Sequence, residues 1–180
     1  MQPYSFDLEQ FRRACSNFPT GVTITTVLSP EGTPHGITVS SFTSVSLDPP
    51  LVLICIDQRS RIQEYLQVDR YIGINVLNAE QQNLSRQFSS AWNDRFVGVD
   101  WYSGLTGVPM LCDVPAAFEC QIAKIISGGD HVVIMGRVLH VLATERMPLA
   151  YLQRSYGTVA RAASGQQLAA EACRLSRIEG

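Results

Sequence analysis

Six of the nine residues from Thr38 to Ser46 carry a hydroxyl: Thr38, Ser40, Ser41, Thr43, Ser44 and Ser46. Downstream, the run Asp57-Gln58-Arg59-Ser60-Arg61 adds two guanidinium groups and another hydroxyl. Hydroxyls donate and accept hydrogen bonds, and a guanidinium offers a planar fork of donors that matches phosphate oxygens. Together they suit a phosphate or a polar heterocycle. Read as one strand, the segment sends Thr38, Ser40, Phe42 and Ser44 to one side and Val39, Ser41, Thr43 and Val45 to the other. Both sides are then partly polar, unlike a strand that only fills a core. A plainer reading competes: a solvated edge strand with Thr and Ser pairs across the ladder, and arginines as surface charges beside a helix start.

Other chemistry-bearing residues are sparse. The five cysteines, Cys15, Cys55, Cys112, Cys120 and Cys173, contain no C-x-x-C pair. That argues against a disulfide framework or a zinc site and reads most of them as small buried hydrophobes. His131 and His140 lie nine residues apart on one expected strand. The odd spacing puts them on opposite faces and makes them poor joint ligands of a metal. His131 follows Asp130 and also reads as a turn histidine bonded to that carboxylate. No G-x-G-x-x-G follows a strand and no G-x-x-x-x-G-K is present, so any nucleotide is held by another construction.

The whole chain sets bounds on these readings. Its 180 residues are 46% hydrophobic and 17% charged, ordinary globular values that support one domain with its own core. A net charge of −2 with scattered basic residues offers neither a nucleic-acid footprint nor a polybasic membrane patch. No apolar run reaches the length of a membrane span, and Met1 to Asp7 lacks the basic and apolar regions of a signal peptide. A soluble, cytoplasmic protein is expected.

Several elements must position the candidate residues. Residues 7–18 read as a helix capped by Asp7 with Gln10 three positions on, and Leu8, Phe11, Cys15 and Phe18 on one stripe. Residues 21–28 are β-branched and read as a strand turning through 29–34 into the hydroxyl strand. Asp48-Pro49-Pro50 turns into an apolar strand over 51–56. A short helix from Ser60, a strand over 71–77 and a helix over 78–89 capped by Asn78 follow. Residues 90–111, with Trp92 and Trp101, read as a long loop, a lid over the site or a packed loop anchored by tryptophans. Residues 116–126 and 131–144 are long strands joined by Ser127-Gly128-Gly129-Asp130, the second apolar on both faces and so expected inside a closed or doubly covered sheet. Residues 151–159 read as a short edge segment and 166–178 as a C-terminal helix. Hairpin order with inserted helices argues for a barrel or sandwich with peripheral helices.

With these pieces placed, the chain resembles the flavin reductases of the split-barrel, flavin-binding family. More narrowly, it is similar to the small reductase components of two-component monooxygenases acting on aromatic or polyketide substrates. The resemblance rests on FPTGVTITT at 18–26, HGITVSSFTSVSLDPPLVLICID at 35–57, RSR at 59–61, DRF at 94–96 and GGDH at 128–131. It implies an antiparallel split barrel over residues 1–160, with 161–180 as a tail.

The resemblance also implies a site. Flavin, FMN or FAD, would lie along the hydroxyl strand, with Thr38, Val39, Ser40, Ser41 and Ser44, then Cys55, Ile56, Asp57, Ser60 and Arg61, and Phe96 of the D-R-F motif around it. His131 would line the nicotinamide side, with Tyr156 and Gly157 in the same pocket. The implied reaction is hydride transfer from NADH or NADPH to flavin, with reduced flavin leaving for a separate monooxygenase and the reductase acting as a homodimer. A second class is a carrier or assembly subunit that holds flavin without turning over NAD(P)H. The G-G-D-H turn favours the reductase. A pyridoxamine-phosphate type oxidase would call for more basic residues at a second phosphate.

Overall fold

Asp7 opens the first helix. Its carboxylate accepts the Gln10 N–H at 2.7 Å, and the Gln10 side-chain oxygen accepts the Asp7 N–H at 3.0 Å. This reciprocal box satisfies donors that a helix start leaves open. The structure is a computed structural model that describes residues 6–91 and 94–160. The helix, α1, spans Leu8–Ser16 and buries none of its residues. The stripe expected to face a core is instead exposed at Leu8, Phe11 and Phe18.

Twelve strands and a second helix follow among the described residues. In chain order they are β1 (Thr20–Gly21), β2 (Thr23–Leu28), β3 (Pro34–Val39), β4 (Thr43–Leu47) and β5 (Pro50–Asp57). After a 3-10 turn over Arg61–Tyr65 come β6 (Tyr71–Val76), α2 (Gln82–Ser89), β7 (Trp101–Ser103) and β8 (Pro109–Leu111). The chain continues through β9 (Ala116–Gly128), β10 (His131–Ala143), β11 (Leu149–Leu152) and β12 (Ser155–Thr158). Seven strands form one sheet in the order β3-β2-β6-β9-β10-β5-β4, every pair antiparallel. A three-stranded sheet β1-β11-β12 and the hairpin β7-β8 complete the architecture. The chain is mainly β and antiparallel with peripheral helices, as expected.

The inward residues of the long sheet form one apolar core around Ile54, Ile72, Ile74, Ile122 and Ile134, all fully buried. A second core gathers Ile24, Leu77, Phe88, Phe96 and Met110 beneath α2 and the β7–β8 hairpin. Together they leave β2 and β6 buried along most of their length. β-Branched side chains fit such doubly covered strands.

Several expectations change. The hydroxyl segment is two strands at opposite edges of the seven-stranded sheet, β3 and β4, with Ser40, Ser41 and Phe42 between them. Alternation therefore breaks there, and again at a register shift between Ser44 and Ser46. Helix α2 begins at Gln82 rather than after Asn78, whose Oδ1 instead accepts the Glu80 N–H at 2.7 Å in a local turn. Ser60 precedes a 3-10 turn and its side chain makes no capping bond. The stretch 90–111 contains the β7–β8 hairpin, so it is not one long loop. Strand β10 is covered only in its first half, since Leu139, Val141 and Leu142 are exposed. A register shift between Val138 and His140 resets the alternation, so counting parity from His131 to His140 does not assign their faces. Of the four described cysteines, all free, only Cys120 is buried, and burial pushes its thiol up to about 12. Trp92, Cys173 and the helix expected over 166–178 lie outside the described residues.

Candidate functional site

The break in the hydroxyl segment is made by one of its own side chains. Ser41 Oγ accepts the Cys55 N–H at 2.7 Å and donates to the Cys55 carbonyl at 3.1 Å. On β3, Thr38 Oγ1 donates to the Ser85 carbonyl of α2 at 2.7 Å, and the buried Val39 gives its carbonyl to Thr23 Oγ1 at 2.8 Å. Thr38 and Ser41 thus use their hydroxyls to fix the backbone. Ser40 and Ser44 are exposed and turn theirs to the surface. Next to them run Cys55, half-buried, and Ile56, buried.

The arginines divide the same way. Arg59 is taken by Asp57: Oδ1 accepts from its N–H at 2.8 Å and Nε at 3.1 Å, and Oδ2 from Nη2 at 2.7 Å. The Arg59 hydrogen bonds hold the Asp57 carboxyl well below the usual carboxylate range. Ser60 donates its N–H to the Asp57 carbonyl at 2.9 Å, closing a tight turn just before Arg61. Arg61 lines a cleft of about 60 Å3 with Pro34, His35, Gly36, Ile62, Arg95 and Phe96.

Arg95 is built into that cleft. Its Nη1 donates to the Gly36 carbonyl at 2.8 Å and its Nη2 to the Ser90 carbonyl at 2.6 Å. Burial, and then the nearby Arg61, push its pKa below the ordinary guanidinium value. Phe96 is buried edge-on against Phe88, ring centroids 5.0 Å apart, and forms the floor. His35 stacks on Tyr65 at 4.4 Å at the rim. Two guanidinium groups thus share a cleft with no acidic side chain among its described lining residues. An oxyanion between them would offset the repulsion, and the donor set fits the phosphate of a flavin nucleotide. Sequence reasoning missed Arg95, although it sits inside the D-R-F motif, and His35, the first residue of the long motif.

At the C-terminal end of β5, from which Arg59 and Arg61 also leave, His131 stands opposite Asp57 in the β5–β10 register. Its Nδ1 lies 2.7 Å from Asp130 Oδ1, and that hydrogen bond holds the Asp130 carboxyl below the usual range. Tyr156 and Gly157 lie elsewhere, lining a groove with Pro19, Leu152 and Val159. The Tyr156 hydroxyl is 3.0 Å from Ser85 Oγ, so Thr38 and Tyr156 meet through one residue of α2. The structure therefore gathers Arg61 with Phe96, Ser41 with Cys55, and Asp57 with His131. It sets Tyr156 and Gly157 apart from the His131 turn.

Comparison with known proteins gives the family of the chain. A family model described as "Flavin reductase like domain" matches residues 15–160. A probable flavin reductase of Rhizobium meliloti is 43% identical over 153 residues, 85% of this chain but 49% of that protein, so the chain spans about half of its length. The reductase subunit Stc3 of stachydrine N-demethylase, from the same organism, is 38% identical over 92% of this chain and 72% of its own. Among solved structures, the NADH:FAD oxidoreductase SgcE6 of Streptomyces globisporus, in complex with NAD and FAD fragments, matches with a TM-score of 0.83 and 36% identity, covering 88% of this chain and 96% of that one. With a family match across most of its length and relatives of this identity, the chain belongs to the flavin reductase like family.

Proposed function

We propose that this chain is an NAD(P)H-dependent flavin reductase that supplies reduced FMN or FAD to a separate monooxygenase. The observation that carries the proposal is the pairing of Arg61 and Arg95 in a cleft whose described lining residues include no acidic side chain. Flavin, when bound, supplies the redox chemistry by accepting hydride from reduced nicotinamide.

The chain's own residues bind and orient. Arg61 and Arg95 take phosphate oxygens, and Phe96 floors the cleft between them. Ser40 and Ser44 offer hydroxyls along the ribityl path, while Thr38, Val39 and Ser41 contribute backbone held in place by their own bonds. Cys55, Ile56, Asp57 and Ser60 form the neighbouring wall. His131, its Nδ1 engaged by Asp130, presents Nε2 on the nicotinamide side. Tyr156 and Gly157 act from further off, through Ser85 and α2. Stacking two rings at reaction distance accounts for much of what the protein must do.

A homodimer is part of the proposal. The exposed run Leu139, Val141 and Leu142 on β10 gives a second copy an apolar surface to cover. A cytoplasmic setting fits a consumer of reduced nicotinamide. Sedimentation of the wild type and of Val141→Asp tests the dimer, with the variant expected to be the smaller species.

The activity is tested by steady-state oxidation of NADH and NADPH with and without added FMN, FAD or riboflavin. Turnover that depends on added flavin is the expected result. Flavin binding without turnover would replace the reductase by a flavin carrier.

A further inference from the structure

Gln58 lies between the Asp57–Arg59 pair and the turn that carries His131. Its backbone N–H donates to the Asp130 carbonyl at 3.0 Å. Its side-chain Nε2 donates to the Gly129 carbonyl at 3.1 Å and to the His131 carbonyl at 3.3 Å. One residue therefore reaches the carbonyls of three successive residues, Gly129, Asp130 and His131, across a sequence gap of more than seventy positions.

The turn needs such a tie. Gly129 has a φ of +75°, a left-handed conformation that favours glycine. Gly128, Gly129, Asp130 and Gln58 are all exposed, so packing does not hold this tip. The ladder holds His131 through its pairing with Gly128 on one side and Asp57 on the other. Beyond that pair, Gln58 replaces strand pairing with side-chain and backbone donors.

The charges around the ring are arranged to match. Asp130, on the turn, holds Nδ1 at 2.7 Å. Asp57, facing from β5, is the other carboxylate near His131, and it is occupied by three bonds from Arg59. Asp130 is thus the carboxylate that sets the imidazole.

We propose that Gln58 is a positioning residue, which clamps the Gly129–His131 turn onto the end of β5 and so fixes where the His131 ring meets the nicotinamide. The inference rests on the proposed role of His131.

The test is a double-mutant cycle of Gln58→Ala and His131→Ala, with Gln58→Glu as a second variant. The glutamate keeps the side chain's size but cannot donate to the two carbonyls, so it should behave as the alanine does. Gln58→Ala is expected to raise KM for NADH roughly tenfold, the scale on which displacement of a reacting pair is felt. Flavin affinity should stay within about twofold, as expected for a site more than a hydrogen-bond network away. In the His131→Ala background the same change should cost nothing further. In the flavin-free protein, amide hydrogen exchange at Asp130 and His131 should quicken and the His131 imidazole resonances should move. An equal KM penalty with and without His131, or unchanged exchange at the turn, overturns the clamp alone. If His131→Ala leaves NADH kinetics unchanged, the role of His131 falls and the clamp's function falls with it.

Discussion

The Ser41 hydroxyl makes both bonds to the Cys55 backbone that a neighbouring strand would have made, accepting the N–H at 2.7 Å and donating to the carbonyl at 3.1 Å. The β4–β5 register pairs Thr43 with Leu53, and the next such position would place Ser41 opposite Cys55. A side chain fills it instead. The backbone of Ser40 to Phe42 is released from the ladder, and the hydroxyl-bearing residues Ser40 and Ser44 stay exposed.

Ser41→Ala removes the only side chain at that position able to do this, and should leave the half-buried Cys55 groups short of a partner. A loss of about 1–2 kcal/mol is expected from urea unfolding. Ser41→Thr keeps the hydroxyl and should recover most of it.

Arg95 has a separate test. If it holds a phosphate oxygen, Arg95→Gln should weaken FMN and FAD binding by roughly ten- to a hundredfold, the worth of a charge-assisted hydrogen bond. Riboflavin, which has no phosphate, should bind the variant and the parent alike. Fluorescence titration of the three flavins reads the difference. Equal losses for all three would mean that Arg95 supports the fold through Gly36 and Ser90 rather than the ligand.

Much of this was legible in the sequence and some was not, for identifiable reasons. Asp7 and Gln10 announced the start of α1, because a capping box is local. The long strands and the Gly129-Asp130 turn were legible because alternation and glycine placement are local too. The exposure of Leu8 and Phe11 was not, since a stripe shows that a face is apolar and leaves open what covers it. The split of the hydroxyl segment was hidden because Ser41 bonds a residue fourteen positions away. The candidate site was half-legible: the sequence reading named Arg61 and Phe96, which line one cleft, but Arg95 reaches the Gly36 carbonyl and Gln58 the Gly129 carbonyl far along the chain, which no spacing reveals.

Gly36 borders the same cleft and leaves no room for a side chain. A Cβ there would lie 2.5 and 2.8 Å from ring carbons of Phe88 and 3.4 Å from Phe96. Phe88 is fully buried and cannot yield. Gly36→Ala should cost about 1–3 kcal/mol by thermal or chemical unfolding. It should also shift the Phe96 floor, and so lower flavin affinity in step.

Glu119 gives the fold an acid-sensitive joint. Burial raises its carboxyl, but bonds from Thr106 Oγ1 at 2.6 Å, Thr106 N–H at 2.7 Å and Leu105 N–H at 3.0 Å outweigh that and bring it below the usual range. The folded state therefore favours the carboxylate. Its contribution is complete above about 4.3, the ordinary glutamate value, and is lost as pH falls through the lower folded value. Glu119→Gln should lose about 1–3 kcal/mol near neutral pH, and its stability should change less than the parent's on acidification. Denaturant melts from neutral to acid pH check both, and parallel curves would remove Glu119 from the account.

Ser85 joins two parts of the chain made at different times. It is fully buried on α2, its carbonyl accepts from Thr38 and its hydroxyl meets Tyr156 at 3.0 Å. During synthesis β3 emerges first, α2 next and β12 last. Strand β3 can thus be docked on α2 well before the helix has its final partner. A chain halted short of Ser155 would bury a hydroxyl without Tyr156 to meet it. The wall of the site reaches its finished stability only when nearly the whole described chain has left the ribosome.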